Sequence, residues 1–80
     1  YVKRLEELES IAAAYKGVKE AFAIQAGREI RVLLDPEKTK DDDVTVLAVK
    51  IRDEIKEKLT YPGTVTVNVI RELRDNKVAT

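Results

Sequence analysis

The apolar residues of this chain switch between two spacings, and this switching constrains the fold more than any other feature of its 80 residues. In the first segment they recur at steps of three and four, and in the next two segments they recur at every second position. A further segment with steps of three and four follows, and then a last segment with a step of two. Helices repeat every 3.6 residues and strands every two. The sequence therefore predicts the element order α-β-β-α-β.

The first helix is expected over residues 1 to about 15, where one face is apolar. That face comprises Val2, Leu5, Leu8, Ile11, Ala12 and Tyr15. Gly17 follows closely, and glycine commonly ends a helix in the left-handed conformation. Gly17 is therefore predicted to cap this helix at its C-terminal end.

A β-hairpin is expected next, with strands over residues 18–26 and 29–34 and a tight turn at Gly27-Arg28. In the second strand, Ile30, Val32 and Leu34 share one face. In the first strand, the alternation places two sets of residues on opposite faces. These sets are Phe22, Ile24 and Ala26 on one face, and Ala21, Ala23 and Gln25 on the other.

The second helix is expected directly after three aspartates, Asp41, Asp42 and Asp43, which suit the positive end of a helix dipole. Its apolar face comprises Val44, Leu47, Ala48, Ile51, Ile55 and Leu59. Tyr61-Pro62-Gly63 is predicted to be a turn. The third strand is expected over residues 64–70, and residues 72–80 are expected to fray.

These elements predict an α+β fold: a two-layer sandwich in which two helices cover one face of a three-stranded sheet. It resembles a ferredoxin-like unit that lacks its first strand. In the complete unit that strand lies in the middle of the sheet. Without it, either the sheet closes up or a strand of another chain fills the gap.

Composition excludes several kinds of function. The chain has no cysteine and no histidine, which removes thiolate metal sites and the commonest general base. Fifteen basic and fifteen acidic residues give a formal charge of +0, whereas nucleic-acid binders usually carry a basic excess. No apolar run approaches the roughly 20 residues of a membrane helix. Residues 1–80 are expected to be a single small domain, cut from a longer protein because methionine is absent.

The second face of the sheet is a candidate interaction face, because small and apolar residues on it could pack against a partner. Its proposed members are Ala21, Ala23, Gln25, Leu33 and Ile70. An ordinary half-polar solvent face fits the same pattern equally well.

Two other clusters suggest chemistry. Arg28 and Arg31, near the hairpin turn, could contact RNA phosphates, although a solvated turn is the simpler interpretation. The aspartates at residues 41–43 could hold a divalent cation, but a helix start explains them better. No catalytic, cofactor-binding or metal-binding residue is therefore assigned.

The chain also resembles a known family. The closest likeness is the run Phe22-Ala23-Ile24-Gln25-Ala26-Gly27-Arg28-Glu29-Ile30-Arg31-Val32. The acidic loop, Tyr61-Pro62-Gly63 and Val69-Ile70-Arg71-Glu72 then follow in the same order. Together with the opening Tyr1-Val2-Lys3-Arg4-Leu5, these motifs resemble the C-terminal domain of the ribonuclease Y family, bacterial endoribonucleases that initiate mRNA decay.

This resemblance implies a parent protein with an N-terminal membrane helix, a coiled coil, a KH domain and a metal-dependent HD domain. The parent would be anchored at the cytoplasmic face of the membrane, and this domain would lie in the cytoplasm without touching the membrane. The catalytic residues and the divalent metal would belong to the HD domain. No position of this chain matches that motif.

The resemblance therefore implies a non-catalytic accessory module. The leading hypothesis is that it dimerises or docks onto the HD domain. An auxiliary RNA contact through Arg28 and Arg31 is the alternative. A small-ligand sensor like the ACT domain is a third, weaker possibility, which depends on analogy of fold alone.

Overall fold

The computed structural model describes residues 2–59 and 63–79. It confirms the predicted α+β class and the order α-β-β-α-β. The elements are α1 (Val2–Ala13), β1 (Val18–Ile24), β2 (Glu29–Leu34), α2 (Asp41–Lys58) and β3 (Thr66–Ile70), with a 3₁₀ turn (Gln25–Gly27) between β1 and β2. Of the predicted turn at Tyr61-Pro62-Gly63, the first two residues lie outside the described ranges.

The three strands form one mixed sheet in the order β1-β2-β3. β1 runs antiparallel to β2, and β2 runs parallel to β3. The ladder between β2 and β3 begins where the Thr66 amide donates to the Arg28 carbonyl at 2.9 Å. The sheet thus closes up without the missing strand, and the alternative of a gap filled by another chain is wrong.

The core lies between the two helices and one face of the sheet. Its fully or nearly buried side chains come from α1, α2 and β2. They are Leu8, Ala12, Ile30, Val32, Leu34, Leu47, Ile51 and Ile55. Both helices therefore cover the same side of the sheet, as the sequence predicted.

The predicted orientation of β1 is wrong. Ala21 pairs with Val32 and Ala23 with Ile30, so both alanines lie on the helix side and pack against the core. Phe22 pairs with Arg31 on the opposite face. A β-bulge between Val18 and Glu20 adds one residue to the strand, so Val18 shares the helix side with Ala21 and Ala23 and not with Phe22.

The predicted helix cap at Gly17 is also wrong, because α1 already ends at Ala13. Gly17 instead lies in the turn before β1, with φ of 94°, a left-handed conformation that favours glycine. Its carbonyl accepts the Asp35 amide at 2.8 Å, which joins this turn to the end of β2. A Cβ atom at Gly17 would lie 2.6 Å from Cγ2 of Thr39.

Candidate interaction surface

The face of the sheet opposite the helices is the candidate interaction surface, and we call it the open face. Strand register and exposure together define its members. They are Glu20, Phe22 and Ile24 of β1, Glu29, Arg31 and Leu33 of β2, and Thr66, Asn68 and Ile70 of β3. Both helices pack on the other side, so this face is in contact with solvent.

Register arranges the open face in three rows across the strands. The central row is Phe22, Arg31 and Asn68, and the Phe22 side chain is 43% exposed. One flanking row contains Leu33 beside Ile70. The face therefore presents an exposed aromatic ring and an aliphatic patch around a polar centre.

The charge of the open face is slightly negative, since Glu20 and Glu29 outnumber Arg31. Arg31 Nη2 lies 3.3 Å from Glu29 Oε2, so the arginine is already paired within its own strand. An exposed pair of this kind contributes little to stability. It does reduce the positive potential that the open face offers to a phosphate.

The structure separates the residues that the sequence grouped into one interaction face. Leu33 and Ile70 do lie on the open face, but Ala21 and Ala23 lie in the helix layer. Gln25 lies in the 3₁₀ turn, exposed and with φ of 52°. Sequence reasoning missed Phe22 as a surface residue, because a phenylalanine within an alternating strand pattern normally indicates the buried face.

The hairpin turn differs from the predicted two-residue turn at Gly27-Arg28. β1 ends at Ile24, and Gln25, Ala26 and Gly27 then adopt φ values of 52°, 57° and 85°. Arg28 follows in the right-handed helical conformation, with its side chain exposed. Arg28 and Arg31 are thus both exposed, but Arg28 belongs to the turn and Arg31 to the open face.

Arg71, at the end of β3, makes polar contacts with three residues of the segment before and at the start of α2. Its Nη2 donates to the Pro36 carbonyl at 2.8 Å, and its Nε lies 3.1 Å from the Thr39 carbonyl and 3.2 Å from Thr39 Oγ1. Its Nη1 pairs with Asp41 Oδ1 at 2.9 Å. Arg71 therefore fastens the loop between β2 and α2 to β3.

Two of the three aspartates at the start of α2 have structural partners. The Asp43 carboxylate accepts the Lys40 amide at 2.8 Å, and Asp41 pairs with Arg71. Within residues 2–59 and 63–79, no group of three or more acidic side chains is arranged to hold a metal ion. These contacts fit the predicted helix start.

A hydrogen bond between Tyr15 and Glu54 joins the end of α1 to α2. Tyr15 Oη lies 2.5 Å from Glu54 Oε1 and donates to it. This bond is the main cause that raises the pKa of Tyr15 to about 12, with burial as a second cause. The same bond, followed by the hydrogen bond from Lys58, lowers the pKa of Glu54.

No helix in the described ranges is long and apolar enough to span a bilayer. No family model matches this chain, and neither does any solved structure. Curated relatives do match. Ribonuclease Y of Streptococcus sanguinis strain SK36 is 55% identical over 74 residues, and that of Streptococcus pyogenes serotype M5 strain Manfredo is 53% identical over 74 residues.

Each match covers 92% of this chain, whereas the chain spans only 14% of the length of each relative. Identity at this level over nearly the whole chain confirms the resemblance to the C-terminal domain of ribonuclease Y. The chain is therefore homologous to one segment of ribonuclease Y.

Proposed function

We propose that this chain is a non-catalytic accessory module of a ribonuclease Y-like endoribonuclease that initiates mRNA decay. In this proposal the open face docks onto the HD catalytic domain of the same enzyme. The observation that carries it is the exposed Phe22 ring beside the Leu33–Ile70 patch on a face that no helix covers. Aromatic residues of this kind are typical anchors of protein interfaces.

The length of the relatives supports a docking partner in the same polypeptide chain. The 74 matched residues are 14% of each relative, so most of a ribonuclease Y chain lies outside this segment. The near-zero charge of the chain also favours a protein surface over a polyanion, since phosphate binding depends on a basic excess.

Docking can be tested by titrating the isotopically labelled 80-residue chain with a purified HD domain of a ribonuclease Y and following amide shifts. We expect the shifts to cluster on the open face, around Phe22, Leu33 and Ile70. Phe22→Ser should weaken binding about tenfold or more, as expected for the loss of an aromatic anchor.

A matched control is Val46→Ser on α2, because Val46 is 47% exposed but lies in the other layer. It should leave binding unchanged. Docking through the open face is rejected if the HD domain shifts no open-face amide, or if both serine variants bind equally well.

A second candidate function is an auxiliary contact to single-stranded RNA. The specific observation in its favour is the row Phe22, Arg31 and Asn68, which sets a ring for base stacking beside a cation and an amide. Arg28 in the adjacent turn would supply a phosphate contact. The Arg31–Glu29 pair and the acidic members of the face make this the weaker candidate.

Fluorescence anisotropy with a labelled single-stranded RNA at low and moderate salt tests this candidate. Arg31→Ala should reduce binding, whereas Arg52→Ala should not, because Arg52 is an exposed arginine on α2 that pairs with Asp53. The absence of binding at low salt, where electrostatic affinity is greatest, would exclude an RNA role.

A further inference from the structure

The two edge strands of the sheet, β1 and β3, differ in how well they are protected from pairing with another chain. On β1, the Glu9 carboxylate accepts the Ala23 amide at 2.9 Å, and the bulge after Val18 disrupts the strand further. Both are devices that prevent a strand edge from pairing with another chain. β3 (Thr66–Ile70) carries no proline, lysine or bulge, and its ladder with β2 is regular. One edge is thus blocked and the other is left ready to pair.

The hydrogen-bonding groups at the free edge of β3 follow from the ladder. The Thr66 amide points toward β2, where it donates to Arg28. In a parallel ladder the amide and carbonyl of one residue point to the same side, and the side alternates along the strand. Asn68 and Ile70 therefore also point toward β2. Val67 and Val69 direct their amides and carbonyls outward, to the free edge.

This arrangement is self-complementary. If two copies of β3 run antiparallel about a two-fold axis at Asn68, Val67 of one copy lies opposite Val69 of the other. Each such pair exchanges two backbone hydrogen bonds, so the outward groups of both valines are satisfied. The two Asn68 side chains then face each other across the axis on the open face.

Helix α2 is self-complementary along the same edge. A row of exposed residues spaced three and four apart runs along one face of α2, and we call it the α2 stripe. Its members are Asp42, Thr45, Val49, Arg52 and Lys56. Val49 and Arg52 line a groove of about 230 Å³ with Val65 and Val67, which places the stripe beside the free edge of β3. Val49 itself is 41% exposed.

The stripe is acidic at its start and basic at its end. When two copies of α2 run antiparallel about Val49, Asp42 of one copy faces Lys56 of the other, and Val49 faces Val49. Opposite charges then meet at both ends, and the apolar residue lies at the axis. Because Val49 lies beside Val67, next to Asn68 in β3, the strand and the helix are both compatible with one antiparallel contact along this edge.

We propose that this chain binds a second copy of itself through the free edge of β3 and the α2 stripe, forming one continuous six-stranded sheet. A C2 interface of this kind requires one patch that complements itself, and both elements meet that condition. β3 is only five residues long, so the contact is small and the dimer is weak. Of the open face, only the β3 side chains take part in it, and Phe22 and Leu33 do not.

Disulfide trapping tests the strand register, because the chain has no cysteine of its own. Residues directly opposite in a non-hydrogen-bonded antiparallel pair have Cα atoms about 4.5 Å apart. Disulfides require roughly 4.4–6.8 Å. Asn68→Cys should therefore oxidise readily to a covalent dimer.

Thr66→Cys is the matched control, since Thr66 is exposed on the same face of the same strand. In the proposed register it faces Ile70 of the second copy, and the two cysteines would be roughly 13 Å apart. We expect it to form the disulfide at least tenfold more slowly. Equal rates for the two variants would overturn the register about Asn68.

Sedimentation equilibrium from micromolar to millimolar concentration tests the dimer itself. Val49→Glu places two like charges at the axis and should weaken association about tenfold or more. Val46→Glu makes the same change on an exposed valine outside the stripe and should leave association unchanged, with circular dichroism confirming that both variants fold.

A strictly monomeric chain at millimolar concentration overturns the proposal. So does a dimer that both glutamate variants weaken equally. A dimer that Phe22→Ser abolishes and Val49→Glu does not would place the interface on the open face and would overturn it as well. Loss of docking onto the HD domain would leave this dimer unaffected, so the two proposals fail separately.

Discussion

The contacts of Arg71 lead to a quantitative prediction about stability. Its side chain is only 17% exposed, and it donates to two backbone carbonyls of the loop between β2 and α2, those of Pro36 and Thr39. In Arg71→Ala both carbonyls lose a charged donor, and the packing of the arginine stem is lost as well. Replacement by alanine therefore removes the side-chain contacts that fasten this loop to the end of β3.

The magnitude follows from the number and exposure of the bonds. A hydrogen bond from a charged donor contributes about 1.5–3 kcal/mol when buried, and partial exposure reduces this to about 1 kcal/mol for each carbonyl. The ion pair with Asp41 adds at most about 0.5 kcal/mol, because the Asp41 side chain is 93% exposed. We expect Arg71→Ala to lower the free energy of unfolding by about 2 kcal/mol.

Urea unfolding followed by circular dichroism measures this change. With a slope of about 1 kcal/mol/M for a domain of this size, the midpoint should fall by about 2 M. The Tm should fall by roughly 10 °C. Asp41→Asn is the control, since it removes the ion pair and keeps the carbonyl contacts, and it should change stability by less than about 0.5 kcal/mol. If the two variants unfold at the same midpoint, the reasoning from the carbonyl contacts is refuted.

Three further predictions follow from single residues. Gly17→Ala should lower the free energy of unfolding in urea by about 2 kcal/mol, because φ is 94° and the new methyl group would meet Thr39. Gly63→Ala is the control and should be nearly neutral, because a methyl group there would have no atom within 4 Å. Tyr15→Phe should cost about 1 kcal/mol at neutral pH. Because the pKa of Tyr15 is raised, the stabilisation by this hydrogen bond should be complete below about pH 10 and lost as the pH rises through about 12. Because the pKa of Glu54 is lowered, the stabilisation should also be lost in acid, below the ordinary glutamate value of 4.5. A stability difference between wild type and Tyr15→Phe that stays constant across this pH range contradicts the role of the hydrogen bond. Ile51→Ala, at a fully buried position, should cost about 3–4 kcal/mol in the same unfolding assay, and a loss below about 1 kcal/mol would show that the site collapses around the cavity.

The parts of the fold that sequence predicted well are those whose signal is local. α2 follows from its own apolar steps and from the aspartates at its start. β2 follows from the alternation of Ile30, Val32 and Leu34, because all three are buried by a pattern of period two. The element order and the α+β class needed nothing beyond these local periods.

The candidate site was predicted only in part. Leu33 and Ile70 were assigned to the open face, because their strands alternate without interruption. Phe22 and the two alanines of β1 were assigned to the wrong faces. The larger apolar residues of β1 were assigned to the buried set, and the sequence around Val18 carries no signal of the bulge that places Val18 on the same face as the alanines.

The sequence by itself determined the order of helices and strands, the absence of histidine and cysteine chemistry, and the family resemblance, since all of these are carried by neighbouring residues. Tertiary structure decided which face of β1 is open, how the sheet closes, and the role of Arg71, whose partners lie 30 to 35 positions earlier in the chain. It also decided that Glu9 blocks one sheet edge, while no strand of the described residues pairs with the outer edge of β3. These features depend on contacts between distant segments, and local residue spacing contains no information about which distant groups meet.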